Sequence, residues 1–299
     1  MRLFKKKRTL FEAKSDKYYY FINNFIMVIL GIIVIYPIYF IIISSFSNPD
    51  AVLNGEVFLY PVKFSLEGYQ RLLSESQIWV GYRNTILYTF FGTALNILLT
   101  IPAGWALSRK YLPYRKIILW FFIVTMFFGG GLIPFYLLVS SLDLIDSPLA
   151  LILPSAVSVW NIFMTKAFYE SNIPEELIEA AKIDGAGEYR TFLSIILPIS
   201  KPIIAVMVLF YAVGHWNSYF NALIFIQSEG YFPLQLVLRD ILIVAQGSGT
   251  GDPQTILEQQ RIANMIKYSS IIVSSIPIIV LYPFIQKFFE KGFLIGSFK

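Results

Sequence analysis

The chain has no cysteine and a single histidine, His215. Without cysteine there is no disulfide, thiolate metal site or cysteine nucleophile, and one imidazole leaves little scope for a metal cluster. The G-x-x-x-x-G-K-[ST] loop that holds nucleotide phosphates is also missing, because the glycine-rich stretch from Gly247 to Asp252 lacks the lysine. The sequence therefore predicts no catalytic residue, no metal and no cofactor on this chain.

Charged residues are scarce as well. They make up 14% of the 299 residues, whereas hydrophobic residues make up 56% and the mean hydropathy is +0.63. An ordinary soluble domain carries roughly 25% charged residues. Such a composition indicates a protein whose solvent is largely a lipid bilayer.

Six uncharged or nearly uncharged stretches are long enough to cross a bilayer, which takes about 20 helical residues. The first follows a basic start, as in a signal peptide, but its 30 uncharged residues and the lack of an A-x-A site predict a retained helix. The sequence thus predicts an all-α integral membrane fold with six transmembrane helices. The predicted spans are 18–47, 84–108, 117–142, 147–165, 202–228 and 268–286.

The basic residues predict the orientation. With the N-terminus inside, eighteen of the 24 lysines and arginines fall on the cytoplasmic side. Cytoplasmic loops are enriched in these residues, so both termini are expected in the cytoplasm. The same rule explains the basic N-terminus, and we expect no nucleic-acid partner. The predicted regions are a cytoplasmic N-terminus (1–17), a membrane domain (18–290) and a cytoplasmic tail (291–299).

One cytoplasmic segment, between the fourth and fifth spans, is unlike the rest. It predicts two short helices, the first capped by Asn172, with Pro174 in its first turn, and stopped at Asp184-Gly185. A helix this short needs a surface to dock on. The membrane surface and a protein partner are both candidates, and the acidic polar face favours the protein. An apolar stripe is expected from Ile173, Leu177, Ala180 and Ala181, with Glu176, Glu179 and Lys182 facing away.

This segment resembles the EAA loop of the permeases of binding-protein-dependent ABC importers. Glu179-Ala180-Ala181 is followed at the family spacing by Gly185, Ile195 and Leu197-Pro198. Asn84 at the start of the second span and Lys291-Gly292 near the end are similar to the smaller permease of the maltose importer, in the carbohydrate-uptake branch.

The resemblance implies the type I ABC importer permease fold in a bacterial cytoplasmic membrane. It implies a second homologous permease chain, two ATPase subunits that hold ATP and Mg, and an extracytoplasmic solute-binding protein or lipoprotein. The loop 171–198 would be the coupling segment. Glu179 would pair with a basic group on the ATPase, Ala180 and Ala181 would allow close approach, and Asp184-Gly185 would make the turn. Leu197 and Pro198 complete the coupling residues.

The predicted spans hold no deeply placed charged residue, which disfavours an ion-coupled carrier and suits a hydroxyl-rich cargo such as a sugar. Amides and aromatic rings could line its path. Each could equally bridge helices or lie at the membrane interface, and His215 is expected to be interfacial. The candidate pathway residues are Asn96, Asn161, Tyr211, Trp216, Asn217, Tyr219 and Asn221.

The outer loop 229–264 is mixed in character. Its part from Tyr231 to Val244 is apolar enough to pack against the membrane or a partner, and the resemblance implies that such a loop reaches the binding protein. Three alternatives to a sugar permease stay open. The same machinery could carry another solute, or the chain could be an ion-coupled carrier or a membrane enzyme that relies on carboxylates alone.

Overall fold

The structure is a computed structural model that describes residues 14–246, 261–280 and Pro283. The N-terminal basic run before Lys14, the glycine-rich part of the outer loop and the tail 291–299 lie outside the described residues. The described chain forms two compact units. One comprises residues 14–70 and 261–272, and the other residues 71–246 and 273–280.

The regular structure of the described residues is helical, and they contain no strand. In chain order the helices are α1 (Lys14–Ser45), α2 (Pro49–Leu53), α3 (Glu67–Ser74), α4 (Ser76–Ser108), α5 (Arg115–Phe127), α6 (Leu132–Ser141), α7 (Leu149–Ile152), α8 (Val159–Asn172), α9 (Glu175–Ile183), α10 (Glu188–Ile199), α11 (Lys201–Trp216), α12 (Phe220–Phe225), α13 (Leu234–Gln246) and α14 (Arg261–Val280).

Three of these helices are long and apolar enough to cross a membrane: α1, α4 and α14. Two further pairs of helices pass the same test together but are bent: α5 with α6 by 113°, and α10 with α11 by 77°. If each pair is one span, the number of candidate spans rises to five. The predicted membrane-helical fold is confirmed at this level. The second predicted span starts too late, because α4 begins eight residues before Asn84, at Ser76, and Arg83 therefore lies inside the helix.

The breaks occur where the local sequence opposes a helix. Gly129–Gly131 separate α5 from α6, and Gly131 has a φ of 85°, which side chains rarely adopt. The predicted fourth span, 147–165, is not one helix, since α7 ends at Ile152 and α8 begins at Val159. Pro154, which has no N–H to donate, lies in the break. The predicted fifth span ends early at Trp216, where the side chain of Asn217 donates to the Val213 carbonyl.

The helix α4 is the centre of the larger unit, since it packs against α8, α11 and α13. Small residues allow the close approach. A Cβ built on Gly104 would lie 2.5 Å from the Thr165 methyl carbon of α8, and one built on Gly92 would overlap the His215 ring of α11.

The start of α13 is fixed to the same helix. The Asn84 amide donates to the carbonyls of Gly230 (2.8 Å) and Phe232 (3.0 Å). The Thr85 hydroxyl accepts the Leu234 N–H at 2.8 Å, which satisfies one of the free donors at the start of α13. The apolar part of the predicted outer loop is therefore largely a helix packed on α4 of the same chain, whereas its composition had suggested packing against the membrane or a partner.

An apolar cluster joins α4 to the segment predicted to be cytoplasmic. It is built from buried side chains of α4, α8, α9, α10 and α11, with Ile173 between α8 and α9. Its members are Ile101, Trp105, Tyr169, Ile173, Ile178, Ile196, Ile203, Met207 and Tyr211. This cluster fixes the position of the predicted coupling segment against the helices of the larger unit.

We expect Gly104→Ala to destabilise the assembled protein, because the added methyl overlaps Thr165. Overpacking of this kind costs about 1–3 kcal/mol. Gly214→Ala in α11 is the matched control, since a Cβ there meets nothing within 4 Å. Thermal unfolding of the purified protein in detergent measures the stability of the two variants. Equal stability of the two variants would contradict the packing described for α4 and α8.

Candidate coupling site and substrate pathway

The first helix of the predicted coupling segment, α9, ends in a hydrogen-bonded glycine turn. Gly185 has a φ of 75°; its N–H donates to the Lys182 carbonyl (3.0 Å) and the Ala186 N–H to the Ala181 carbonyl (2.9 Å). This pattern is the Schellman motif, in which the residue after the helix adopts the left-handed conformation. Asp184 is the C-cap, as predicted for the Asp184-Gly185 stop.

The start of α9 differs from the prediction. Asn172 is the last residue of α8, and its amide donates to the Phe168 carbonyl. The N-cap of α9 is Pro174, in an extended conformation, and the helix begins at Glu175. Proline before the first turn ends the preceding helix, so the sequence signal was present but was assigned to the wrong residue.

The two faces of α9 differ in exposure. Ile178 is buried in the apolar cluster and Ala181 is buried as well, whereas Ala180, which was expected in the apolar stripe, is exposed. Glu176 and Glu179 are exposed on the opposite face, and Ile183 among them is 86% exposed. Glu179 forms no ion pair with any described residue. The free face of α9 is thus an acidic surface with one large apolar side chain.

The loop between α4 and α5, which we term the 109–115 loop, contacts α9 from the side. Lys110 Nζ lies 2.7 Å from Glu175 Oε1. The Tyr111 hydroxyl donates to Glu188 Oε2 at 2.7 Å. Lys182 bridges these groups, 4.4 Å from the Tyr111 ring centroid and 3.4 Å from Glu188 Oε1. The loop therefore holds the start of α9 and the start of α10 together.

The electrostatics of these contacts follow from the pairing. The hydrogen bond and charge of Lys110 lower the pKa of the Glu175 carboxyl. Burial, together with the hydrogen bond to the negative Glu188, raises the pKa of Tyr111 to about 12. Both groups keep their usual charge at neutral pH, so the contacts persist across the physiological range.

Arg109 is the buried charge of this region, only 7% exposed. Its guanidinium carbon lies 4.0 Å from the centroid of the Trp105 ring, and its Nε donates to the Ser108 hydroxyl at 3.0 Å. Burial lowers the pKa of Arg109, which still stays far above neutrality. A cleft of about 340 Å³ lies beside it, lined by Ser108, Arg109, Lys110, Arg115, Glu170, Ile173 and Glu175.

Arg115 completes the contacts of the loop. It lies 2.5 Å from Glu170 Oε1 at the end of α8 and donates to the Leu107 carbonyl at 2.7 Å. Sequence reasoning missed the 109–115 loop as a partner of the segment and interpreted its basic residues only as an orientation signal. The available signal was charge complementarity, because a basic loop and an acidic segment were both predicted on the cytoplasmic side.

Leu197 and Pro198 lie in α10 directly after a π-helical turn, Phe192–Ile196. Proline cannot donate the main-chain hydrogen bond that a regular helix needs, and wide turns of this kind accommodate the loss. Leu197 is half-buried against the apolar cluster and Pro198 is exposed. In this structure Leu197 packs α10 against the apolar cluster, and Pro198 follows the wide turn in that helix.

Several candidate pathway residues form hydrogen bonds inside the unit. The Asn96 amide, fully buried, donates to the Ser155 carbonyl at 2.6 Å, in the break between α7 and α8. The Tyr211 hydroxyl lies 2.7 Å from the Thr100 hydroxyl and accepts the Ser158 N–H at 3.4 Å. These side chains satisfy main-chain groups that the broken helix leaves free.

His215, which was expected at the membrane interface, is buried inside the unit, with 8% of its surface exposed. Its Nε2 lies 2.8 Å from Asn96 Oδ1, so it links α11 to α4 and orients the amide that holds Ser155. Trp216 is also buried, and its indole N–H donates to the Ser274 carbonyl at 2.9 Å.

All but one of the remaining candidate pathway residues are exposed or half-buried. Asn217 and Tyr219 are exposed and Asn221 is half-buried, all near the break between α11 and α12. Asn161, the exception, is buried in the first turn of α8, where its N–H donates to the N-cap hydroxyl of Ser158. No group of three or more metal-ligating side chains occurs in the part of the chain that the structure describes.

We expect Asn96→Ala to destabilise the complex, because it leaves the buried Ser155 carbonyl and the His215 ring without their partner. A buried polar group left unpaired costs about 1–3 kcal/mol. Asn217→Ala, at an exposed position, should change stability by less than about 0.5 kcal/mol. Thermal unfolding and the KM of uptake are measured for both. An Asn96→Ala complex of normal stability and raised KM would contradict the bridging role.

Comparison with known proteins gives one consistent result. Residues 78–295 match the family model described as the binding-protein-dependent transport system inner membrane component. Protein LplC of Bacillus subtilis is 37% identical over 97% of this chain and 98% of its own length. The polygalacturonan/rhamnogalacturonan transport system permease protein YtcP of the same species is 38% identical over 91% of this chain and 95% of its own.

A solved structure shows the same fold. A chain of a bacterial ABC transporter involved in the import of the acidic polysaccharide alginate matches with a TM-score of 0.81 and 30% identity. The match covers 94% of this chain and all of the other. The resemblance that the EAA segment indicated is confirmed.

Proposed function

The chain belongs to the family of binding-protein-dependent transport system inner membrane components, and we propose that it is the permease subunit of an ABC importer for an oligosaccharide. The match over most of the chain is the observation that carries the proposal. A relative named for polygalacturonan and rhamnogalacturonan transport and a structural neighbour named for alginate support a carbohydrate cargo. Since alginate is acidic, the proposed cargo is not restricted to neutral sugars.

The proposed assembly contains a second permease chain, two ATPase subunits that bind ATP and Mg, and an extracytoplasmic solute-binding protein or lipoprotein. The chain would lie in the bacterial cytoplasmic membrane with six spans and both termini in the cytoplasm. At least two of the six spans would then be broken within the bilayer, one at the glycines before α6 and one between α7 and α8. Such breaks are tolerated where the free main-chain groups are buried in protein or line a water-filled cavity.

We infer that α9 is the coupling helix. Its buried face is fixed to the apolar cluster, and its free face carries Ile183 between Glu176 and Glu179. An exposed apolar side chain surrounded by carboxylates fits a partner pocket with an apolar floor and a basic rim. An ATPase subunit is the proposed partner, and Glu179, unpaired among the described residues, is the carboxylate that we assign to its basic group.

We propose two routes by which movement of α9 reaches α4. The first is the apolar cluster, in which Ile178 of α9 packs with Trp105 of α4. The second is the 109–115 loop, in which Lys110 holds Glu175 and Tyr111 holds Glu188. Because the loop follows α4 directly, a displacement of α9 pulls on the cytoplasmic end of that helix.

Gly185→Ala tests the coupling role. The substitution places a side chain at a φ of 75°, which costs on the order of 1–2 kcal/mol and should distort the end of α9. Gly187→Ala is the matched control, because Gly187 has a φ of −68° and an equally open surrounding. In proteoliposomes we expect Gly185→Ala to lower sugar uptake per ATP hydrolysed and Gly187→Ala to leave it unchanged. Wild-type coupling in Gly185→Ala would contradict the assignment.

A charge exchange tests the second route. Lys110→Glu and Glu175→Lys should each lower uptake per ATP, and the double variant should restore it. An exposed ion pair is worth only about 0–1 kcal/mol, so thermal stability should hardly change. Reversing the exposed pair Arg71 and Glu75, which lies outside the segment, is the control. If the double variant stays as poorly coupled as the singles, Glu175 acts on another partner and the 109–115 loop is not a coupling route.

A further inference from the structure

An exposed apolar loop follows α2 in the smaller unit. Phe58, Leu59, Tyr60 and Phe64 are 69%, 62%, 71% and 69% exposed, although they lie outside every predicted span. Their neighbour Val57 is 3% exposed and packs with Ile43 and Ala51. One side of the loop therefore packs against the smaller unit through Val57, and the other side exposes large apolar side chains.

Two tyrosines of α1 fix the main chain of this loop. The Tyr36 hydroxyl donates to the Phe58 carbonyl at 3.3 Å, and the Tyr39 hydroxyl donates to the Leu59 carbonyl. The ring centroids of Tyr36 and Phe58 are 6.2 Å apart. The loop thus runs back beside α1 instead of projecting from its end.

The chain returns to the end of α1 within a few residues. The Asn48 N–H donates to the Val62 carbonyl at 3.0 Å, and the Ser65 N–H donates to the Phe46 carbonyl at 2.9 Å. Residues 57–62 consequently form an excursion along α1. With a rise of about 1.5 Å per residue, Tyr39 lies roughly 9 Å and Tyr36 roughly 14 Å before the last residue of α1.

The depth of these tyrosines follows from the length of α1. Tyr18, Tyr19 and Tyr20 are exposed near its start, and Tyr39 lies about 32 Å further along the axis. The hydrocarbon core of a bilayer is about 30 Å thick, and tyrosine is enriched at both of its interfaces. The two tyrosine groups of α1 therefore match the two interfaces, and the loop lies at the second one.

We propose that residues 57–64 are a membrane anchor, with Phe58, Leu59 and Tyr60 inserted into the lipid interface beside α1. No charged residue occurs between Glu56 and Lys63. Two of its carbonyls are satisfied by tyrosine hydroxyls, and Pro61 has no N–H to satisfy, which suits a site poor in water. Lipid is favoured over a protein partner because the apolar surface continues that of α1, whose residues from Tyr18 onward are mostly exposed.

The absence of cysteine in this chain allows a direct test. Leu59→Cys is labelled with a nitroxide in the full complex, assembled with cysteine-free partner subunits in liposomes. Collision with oxygen, which concentrates in lipid, is compared with collision with a water-soluble nickel chelate. Ile33→Cys, exposed in the middle of α1, is the lipid reference, and Asn54→Cys, exposed at the end of α2, is the water reference.

We expect oxygen to exceed the nickel chelate at Leu59, with a ratio between those of the two references. A ratio equal to that of Asn54→Cys would place the loop in water and overturn the proposal. Low collision with both reagents would overturn it as well, since it would mean that protein covers the loop. This ratio of collision rates can be measured whether or not the complex transports its substrate.

A second variant tests the tyrosine contacts. Tyr36→Phe with Tyr39→Phe removes both hydroxyls but keeps the rings, so the Phe58 and Leu59 carbonyls lose their donors. The label at Leu59 should then become more mobile and its oxygen-to-nickel ratio should shift toward that of Asn54→Cys. An unchanged ratio would overturn the role given to the hydroxyls.

Discussion

A helix that is interrupted inside a bilayer exposes N–H and C=O groups that lipid cannot satisfy. In the larger unit, buried side chains pair with the main-chain groups that the break between α7 and α8 leaves free. Asn96 supplies a donor to the Ser155 carbonyl, and Tyr211 supplies an acceptor to the Ser158 N–H. His215 holds the amide of Asn96 in turn. The polar residues of α4 and α11 thus make the broken helix possible, and the packing of three elements depends on them.

How much of the fold could be predicted depends on whether the cause of each feature is local in the sequence. Long apolar stretches identified α1, most of α4 and most of α14, because hydropathy and length act along the chain. The glycine turn at Gly185 was also predictable, since the left-handed conformation is a local property. The break near Pro154 was not recognised, because the partners that stabilise it lie 50 or more residues away in the sequence and one proline is compatible with a kinked span.

The candidate site divides in a similar way. The EAA spacing identified the segment and its family from residues within one short stretch. The contacts of Lys110 with Glu175 and of Tyr111 with Glu188 join parts of the chain that are far apart, and charge alone gave no pairing. Composition likewise could not distinguish Asn96, which is bonded inside the unit, from Asn217, which is exposed. The partner of Glu179 stays a prediction.

The contacts at the two ends of α4 connect the two proposed partner sites thermodynamically. Near the start of this helix, Asn84 and Thr85 form hydrogen bonds with the start of α13 and the residues before it. At its end, Trp105 and the 109–115 loop contact the predicted coupling segment. A single helix of about 50 Å carries both sets of contacts. If the proposed partners bind at the two ends, each alters the affinity of the other by the same factor, because linkage is reciprocal. Docking of a loaded binding protein would then tighten the ATPase on α9 as strongly as the ATPase tightens the binding protein.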